Sequence, residues 1–275
     1  MAAILFATAA YAGSLTSATL AAWDDYVQSA RMANARRATS DARFLWMEQQ
    51  PEQIAKIRAG EILVSPASTE SPKRISSGLI HDWVGAVFIP SARLNDVFQV
   101  VRDYPRYKEW FQPAVVDSKA IATTDTADRF SMLLVNRSYF KKMAIDADYE
   151  SSYVPIDDHH GYSVAQTTRI QEVEQYGARG QHALPDGEGS GIIWRLFSIT
   201  RYMERDGGVY VEIQAIGLSR DIPASLRWFV EPIVRRVSRA SLMTSLRQTA
   251  EAVRKSTGSI ETAADRSSNR LRSRP

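Results

Sequence analysis

Between residues 115 and 219 apolar side chains recur at every second position, and from residue 224 onward they recur at every third or fourth. That change of period constrains the fold more than any other feature of the chain. Alternation sends successive side chains to opposite faces of a strand, whereas i, i+3, i+4 spacing gathers them on one stripe of a helix. Strands are predicted over 130–135, 143–153, 161–173, 191–204 and 209–218, separated by Gly and Asp clusters as in an antiparallel meander. Arg205-Asp206-Gly207-Gly208 is the clearest hairpin turn, because Asp-Gly readily supplies the positive φ angles of a type I′ turn. The helix predicted over 224–255 carries Leu226, Phe229, Val230, Ile233 and Val237, and its stripe resumes at Leu242, Leu246, Ala250 and Val253. Pro232 lies inside that helix, removes one backbone donor and is expected to kink it.

Upstream, a strand over 79–89 is stopped by Pro90, and Ser91 is placed to cap a helix with the stripe Leu94, Val97, Phe98 and Val101. Pro105 ends that helix and an aromatic turn follows. Residues 23–78 read as a helical extension and loop. Trp23, Tyr26, Val27 and Ala30 have helical spacing, a second helix is bracketed by Pro51 and Gly60, and 65–77 is rich in Ser and Pro. One strand, a helix, a run of strands and one long helix is not the order of a parallel βαβ protein. An antiparallel sheet must bury a face, and only the last helix is long enough to cover it. The expected fold is therefore α+β: a curved antiparallel sheet around a long C-terminal helix, the helix-grip arrangement, over 79–255.

With 275 residues, 44% hydrophobic and 24% charged, the chain has the composition of a globular protein with a full core. A net charge of +3 gives no reason to expect a specific nucleic-acid partner. The positive charge gathers near the end, at Arg266, Arg270, Arg272 and Arg274, so 256–275 reads as a disordered basic tail and a candidate for peripheral contact with an anionic membrane. The absence of cysteine excludes disulfides, thiolate metal sites and cysteine nucleophiles. Residues 2–12 form a small-residue apolar run ending in Ala10-Tyr11-Ala12, and 1–22 is read as a truncated export signal, which predicts a periplasmic or extracellular protein. No basic residue precedes the run, and a buried helix in a cytoplasmic protein is the alternative.

Val87-Phe88-Ile89-Pro90 leading into the helix 94–101, then Asp103-Tyr104, Tyr107, Trp110 and Pro113, and finally the long terminal helix, resemble the superfamily of START, polyketide-cyclase and coenzyme-Q-binding-like domains. The resemblance covers about 79–255 and its motifs mark a fold more than an activity. It implies a hydrophobic cavity between sheet and helix that carries a lipid, quinone or polyketide-like molecule. A cyclase or aromatase enzyme and a structural or adaptor module are the alternatives, and no catalytic residue or cofactor is assigned.

The residues expected to line that cavity are Trp83, Trp110, Trp194, Tyr202, Ile213, Gly217, Phe229 and Ile233. The hairpin register sets Arg201 opposite Glu212 on the less apolar face. The pair is read as a solvated cross-strand ion pair, or else as a buried polar anchor for a ligand head group. Asp157-Asp158-His159-His160 reads as a turn and not a metal site, since adjacent strand residues point apart and zinc needs three convergent ligands. The Gly-rich stretch 187–191 leads into a strand, not a helix, and reads as a loop without a phosphate site.

Overall fold

The computed structural model describes residues 15–39, 43–138 and 141–272. The 2–12 run on which the export signal rests lies outside them. Among the described residues ten strands form one antiparallel sheet: β1 (Leu63–Pro66), β2 (Lys73–Ile75), β3 (Gly78–Pro90), β4 (Val115–Thr123), β5 (Ala127–Ser138), β6 (Lys141–Pro155), β7 (His160–Glu174), β8 (His182–Ala183), β9 (Arg195–Arg205) and β10 (Gly208–Arg220). Their order is β1-β3-β10-β9-β7-β6-β5-β4, with β2 added beside β3 and β8 beside β7. Five α-helices accompany them: α1 (Ser17–Ala38), α2 (Pro51–Arg58), α3 (Leu94–Val101), α4 (Tyr107–Trp110) and α5 (Arg227–Arg272). This is the expected helix-grip fold.

The register of the last hairpin is the predicted one. Arg205 faces Gly208 and Arg201 faces Glu212, with Asp206 and Gly207 at φ of 59° and 78°. Along β3 the large side chains alternate between two cores. Trp83, Val87 and Ile89 join Leu242, Leu246, Ala250 and Val253 of α5 on what we call the inner face. Gly85 makes that contact possible, since a Cβ there would stand 2.9 Å from both Leu246 Cδ1 and Val64 Cγ2.

The outer face is covered as well, by the N-terminal helical extension. Trp23 and Val27 of α1 pack on Ile80, Phe197, Ile199, Ile216 and Leu218, while Phe44, Leu45, Met47 and Ile57 pack on Ala86, Phe88, Met203 and Tyr210. α1 begins at Ser17, ahead of residue 23, with Thr16 accepting the Thr19 N–H and Thr19 donating to the Ser76 carbonyl.

Three local expectations are corrected. Ser91 does not cap α3; it sits at φ 61°, Arg93 is the N-cap residue, and the Asp96 carboxylate accepts the Arg93 N–H while Glu204 accepts that of Leu94. The strand expected from residue 191 begins at Arg195, and the bend before it carries Trp194 to the outer-face core. Beyond Lys255, where a disordered tail was expected, the backbone of α5 continues as helix to Arg272.

Candidate functional site

Reading the pairings across the sheet gathers the inner-face residues into rows. One row runs Trp83–Ala215–Ser198–Ala165–Ser151–Asp128, each residue the direct cross-strand partner of the next. Between the indole at one end and the carboxylate at the other stand only methyl and hydroxymethyl side chains. The row on one side is Gly85–Ile213–Thr200–Ser163–Tyr153, and beyond it Tyr202 pairs with Gly161. On the other side lie His81, Gly217 and Leu196, followed on the far strands by Thr167, Tyr149 and Phe130. Small side chains in line, flanked by large ones, make a trench across the strands.

The trench is accessible. Ala215, Ser198, Ala165, Thr200, Ile213, Gly217 and Leu196 are all half-buried, although they lie in the middle of a sheet face. α5 packs chiefly over β3 and α3, so it borders the trench at the Trp83 end without covering it. At Gly217 an added Cβ would meet only Leu196 Cδ2, at 3.5 Å.

Aromatic side chains form the walls. Phe98 of α3 stands edge-on to Tyr202 at 5.1 Å and to Tyr153 at 6.1 Å. Opposite, Tyr104, Phe130 and Tyr149 stack in sequence, with centroids 4.0 and 5.0 Å apart. The Asp128 end is polar. Buried Asp128 accepts the Tyr104 hydroxyl at 2.9 Å and pairs with Arg102 at 2.8 Å, and the Tyr104 and Tyr153 hydroxyls meet at 2.7 Å. Burial raises all three phenols there, Tyr104, Tyr107 and Tyr153, above the usual tyrosine range, so they are neutral hydrogen-bonding groups and not bases. In the middle, the Ser163 and Tyr202 hydroxyls are 3.0 Å apart. Such a surface presents apolar walls along its length and hydroxyls that can hydrogen-bond a polar group.

At the other end, beside α5, His81 Nε2 lies 2.9 Å from Ser219 Oγ. Burial, opposed by Glu231 and aided by the nearby Arg235, depresses this imidazole to about 4. His81 is neutral at physiological pH.

Of the residues expected to line a cavity, Trp83, Tyr202 and Ile213 come together on the inner face, with Trp110 packed against the same core. Gly217 lies one row away and is part of the trench rim. Trp194 belongs to the opposite face. Phe229 and Ile233 lie on α5 with 54% and 41% of their surface exposed, and so do not line an enclosed cavity.

The ion pair is corrected more fundamentally. Arg201 and Glu212 retain 3% and 0% side-chain exposure, at 3.1 Å, so the pair is not solvated. It is not in the trench either, because it faces the N-terminal extension. Arg201 Nε donates to Asn34 of α1, and Glu212 accepts the backbone N–H groups of Trp46 and Met47 at 2.9 and 3.1 Å. Beside it Gln214 donates to Asp82, which also accepts the Tyr26 hydroxyl. Burial raises the Glu212 carboxyl and lowers the Arg201 guanidinium; their mutual attraction opposes both shifts, and the two N–H donors oppose that of Glu212. The network is a fastening for the extension.

The other motifs are structural. Asp157 accepts the N–H groups of His159 and His160 in a turn, and the loop 187–191 is held by Glu172, which accepts the N–H groups of Ser190 and Gly191. A concavity of about 310 Å³ lies on the α1 side of the same strands, where Arg31 approaches Arg129, Glu150, Ser152, Val164 and Gln166, and it also touches Asp128 and Ser151 at the far end of the trench row. It is open and mixed in charge, and lacks the aromatic walls of the inner face.

No protein-family model and no curated protein matches the chain. Solved structures do. The chain is similar to a STAR-related lipid transfer protein from Xanthomonas axonopodis, with 20% identity over 70% of this chain and 97% of that one and a TM-score of 0.41. It is similar to human STARD10, with 10% identity over 79% and 84% and a TM-score of 0.43. It is also similar to Zhui aromatase/cyclase from Streptomyces sp. R1128, with 12% identity over 64% and 94% and a TM-score of 0.40.

Proposed function

We propose that the protein binds and carries an elongated hydrophobic molecule in the inner-face trench. The observation that carries this reading is the row Ala215–Ser198–Ala165–Ser151. A sheet face built only for packing fills its centre with large side chains, since an unfilled apolar surface forfeits both burial and dispersion contacts. Here the largest inner-face residues stand at the margins, and the centre stays small, with Ala215, Ser198 and Ala165 half-exposed and Ser151 buried. The hydroxyls of Ser198 and Thr200 and the polar Tyr104–Asp128 end favour a ligand that is apolar along its length and has a hydrogen-bonding group at one end.

The test is uptake of a fluorescent anthroyloxy-stearate probe, with native mass spectrometry of the purified protein in parallel. Ala215→Phe and Gly217→Trp fill the trench, and each is expected to weaken uptake at least tenfold while the melting temperature stays near that of the wild type. Gln166→Phe, in the concavity beneath Arg31, is expected to leave uptake unchanged. Full uptake by both trench variants, or loss of uptake in Gln166→Phe alone, overturns the assignment.

A further inference from the structure

The first part of α5 carries an additional apolar side that its later turns lack. Leu242, Leu246, Ala250 and Val253 are buried against the sheet. Ile233 precedes Leu242 by nine residues, about two and a half turns, so on a regular helix it points the opposite way. Burial agrees: Ile233 and Phe229 are exposed, and so are Leu226, just ahead of the helix, and Trp228, which keeps 79% of its surface in solvent. The half-buried side of this first part mixes Val230, Val234 and Val237 with Glu231, which is ion-paired to Arg74 of β2 and, like Arg235, close enough to act on the His81 imidazole. This end of the helix therefore carries a second apolar side, turned away from the sheet and largely in solvent.

A second segment adds to the same end of the molecule. The Arg220 N–H donates to the Gly191 carbonyl, which ties the 190–193 bend to the strand end that leads into α5, and Ile192 on that bend is 55% exposed. The charge beside these apolar tips is one-sided. Asp221 is paired with Arg74 and Arg227, and Glu231 with Arg74, whereas Arg235, Arg236 and Arg239 make no ion pair among the described residues. An exposed tryptophan and phenylalanine beside uncompensated arginines is the chemistry of the interface of an anionic bilayer, where aromatic rings sit at head-group depth and arginines meet phosphate. A second copy of the chain fits poorly, because it would bring the same arginines face to face.

We propose that Leu226, Trp228, Phe229 and Ile233, with Ile192, insert into the surface of an anionic membrane. The docking deepens the carriage reading, on which it rests for its purpose, because this is also the end of the sheet at which His81, Gly217 and Leu196 border the trench. Contact through this end would bring the trench rim to the lipid surface. No helix among the described residues is long and apolar enough to cross a bilayer, so the contact is peripheral.

The full chain is to be sedimented with vesicles of phosphatidylcholine alone and with about one third phosphatidylserine. Binding is expected only with phosphatidylserine, and it should weaken as salt screens the arginines. Trp228→Ala with Phe229→Ala should weaken it at least tenfold. Replacing Arg235, Arg236 and Arg239 by Gln should cost about fivefold for each arginine lost. All these side chains are exposed, so unchanged melting curves are expected to accompany the losses. Absence of binding by the folded wild type overturns the proposal, as does binding that the aromatic variants leave intact. Concentration-dependent dimerisation abolished by Phe229→Ala also overturns it, in favour of self-association. Probe uptake without vesicles separates the two readings: the trench variant Ala215→Phe should still bind vesicles, and the aromatic variants should still take up probe.

Discussion

The two faces of the sheet are covered by opposite strategies. On the outer face α1 and the 44–49 segment bring apolar side chains into two cores, and between these lies a buried ion pair whose remaining hydrogen-bonding groups are met by Asn34 and the Trp46 and Met47 N–H groups. On the inner face α5 grips one side, and the middle of the sheet is left small and half-exposed. The difference teaches which face is built for permanence and, on the proposed carriage reading, which for exchange. A polar network tolerates burial only when every member is satisfied, so it suits a contact that never opens. A trench floored by alanine and serine has nothing to lose when a ligand leaves.

The largest effect expected from breaking that contrast is at the ion pair. Glu212→Leu strands the Arg201 guanidinium and two backbone N–H groups, and should destabilise the protein by about 3–5 kcal/mol in chemical denaturation. Arg201→Met should cost somewhat less, because Glu212 keeps its two N–H donors. The double variant should recover only part of the loss, since the Trp46 and Met47 N–H groups stay unmet. Probe uptake per folded molecule should be unchanged in all three. Lost uptake in a variant that remains folded would mean that the outer fastening shapes the trench.

A comparison along α5 sharpens the picture further. Leu246→Ala, at a fully buried position, should cost about 2–5 kcal/mol. Ile233→Ala, at an exposed one, should stay within about 0.5 kcal/mol. Similar costs at the two sites would show that the first part of the helix is packed in solution.

His81 gives a smaller effect with a definite sign. Its folded value, about 4, lies below the ordinary 6.5, so the unfolded chain binds the proton more readily. The stability from keeping this imidazole neutral is complete above pH 6.5 and is lost as pH falls toward 4. The loss is on the order of 2–3 kcal/mol for a shift of this size. Unfolding followed from pH 7 to pH 4 should show a shallower decline in His81→Gln than in the wild type. Parallel declines would place the acid sensitivity elsewhere, for example at the buried carboxylates.

How much could be read from the chain follows from the range of each signal. The last hairpin was legible to the residue, because Asp206-Gly207 needs only local φ angles and the rest of the register counts outward from it. Trp194 was misplaced because alternation holds only inside a strand, and the bend from Gly191 intervenes. The trench was not legible at all. Ala215, Ser198, Ala165 and Ser151 stand on four strands and are unremarkable in each.

By itself, the sequence determined the period of each segment, the hairpin turn and hence the kind of sheet and helix, since these depend on backbone geometry and on neighbours a few residues away. It also carried the opposite facing of Ile233 and Leu242, visible as a count of residues. Only the tertiary structure decided that Arg201 and Glu212 are buried, because their cover comes from Asn34, Trp46 and Met47, more than 150 residues earlier in the chain. Only it decided where the sheet is left empty, because a vacancy belongs to no single segment and exists once distant strands are aligned side by side.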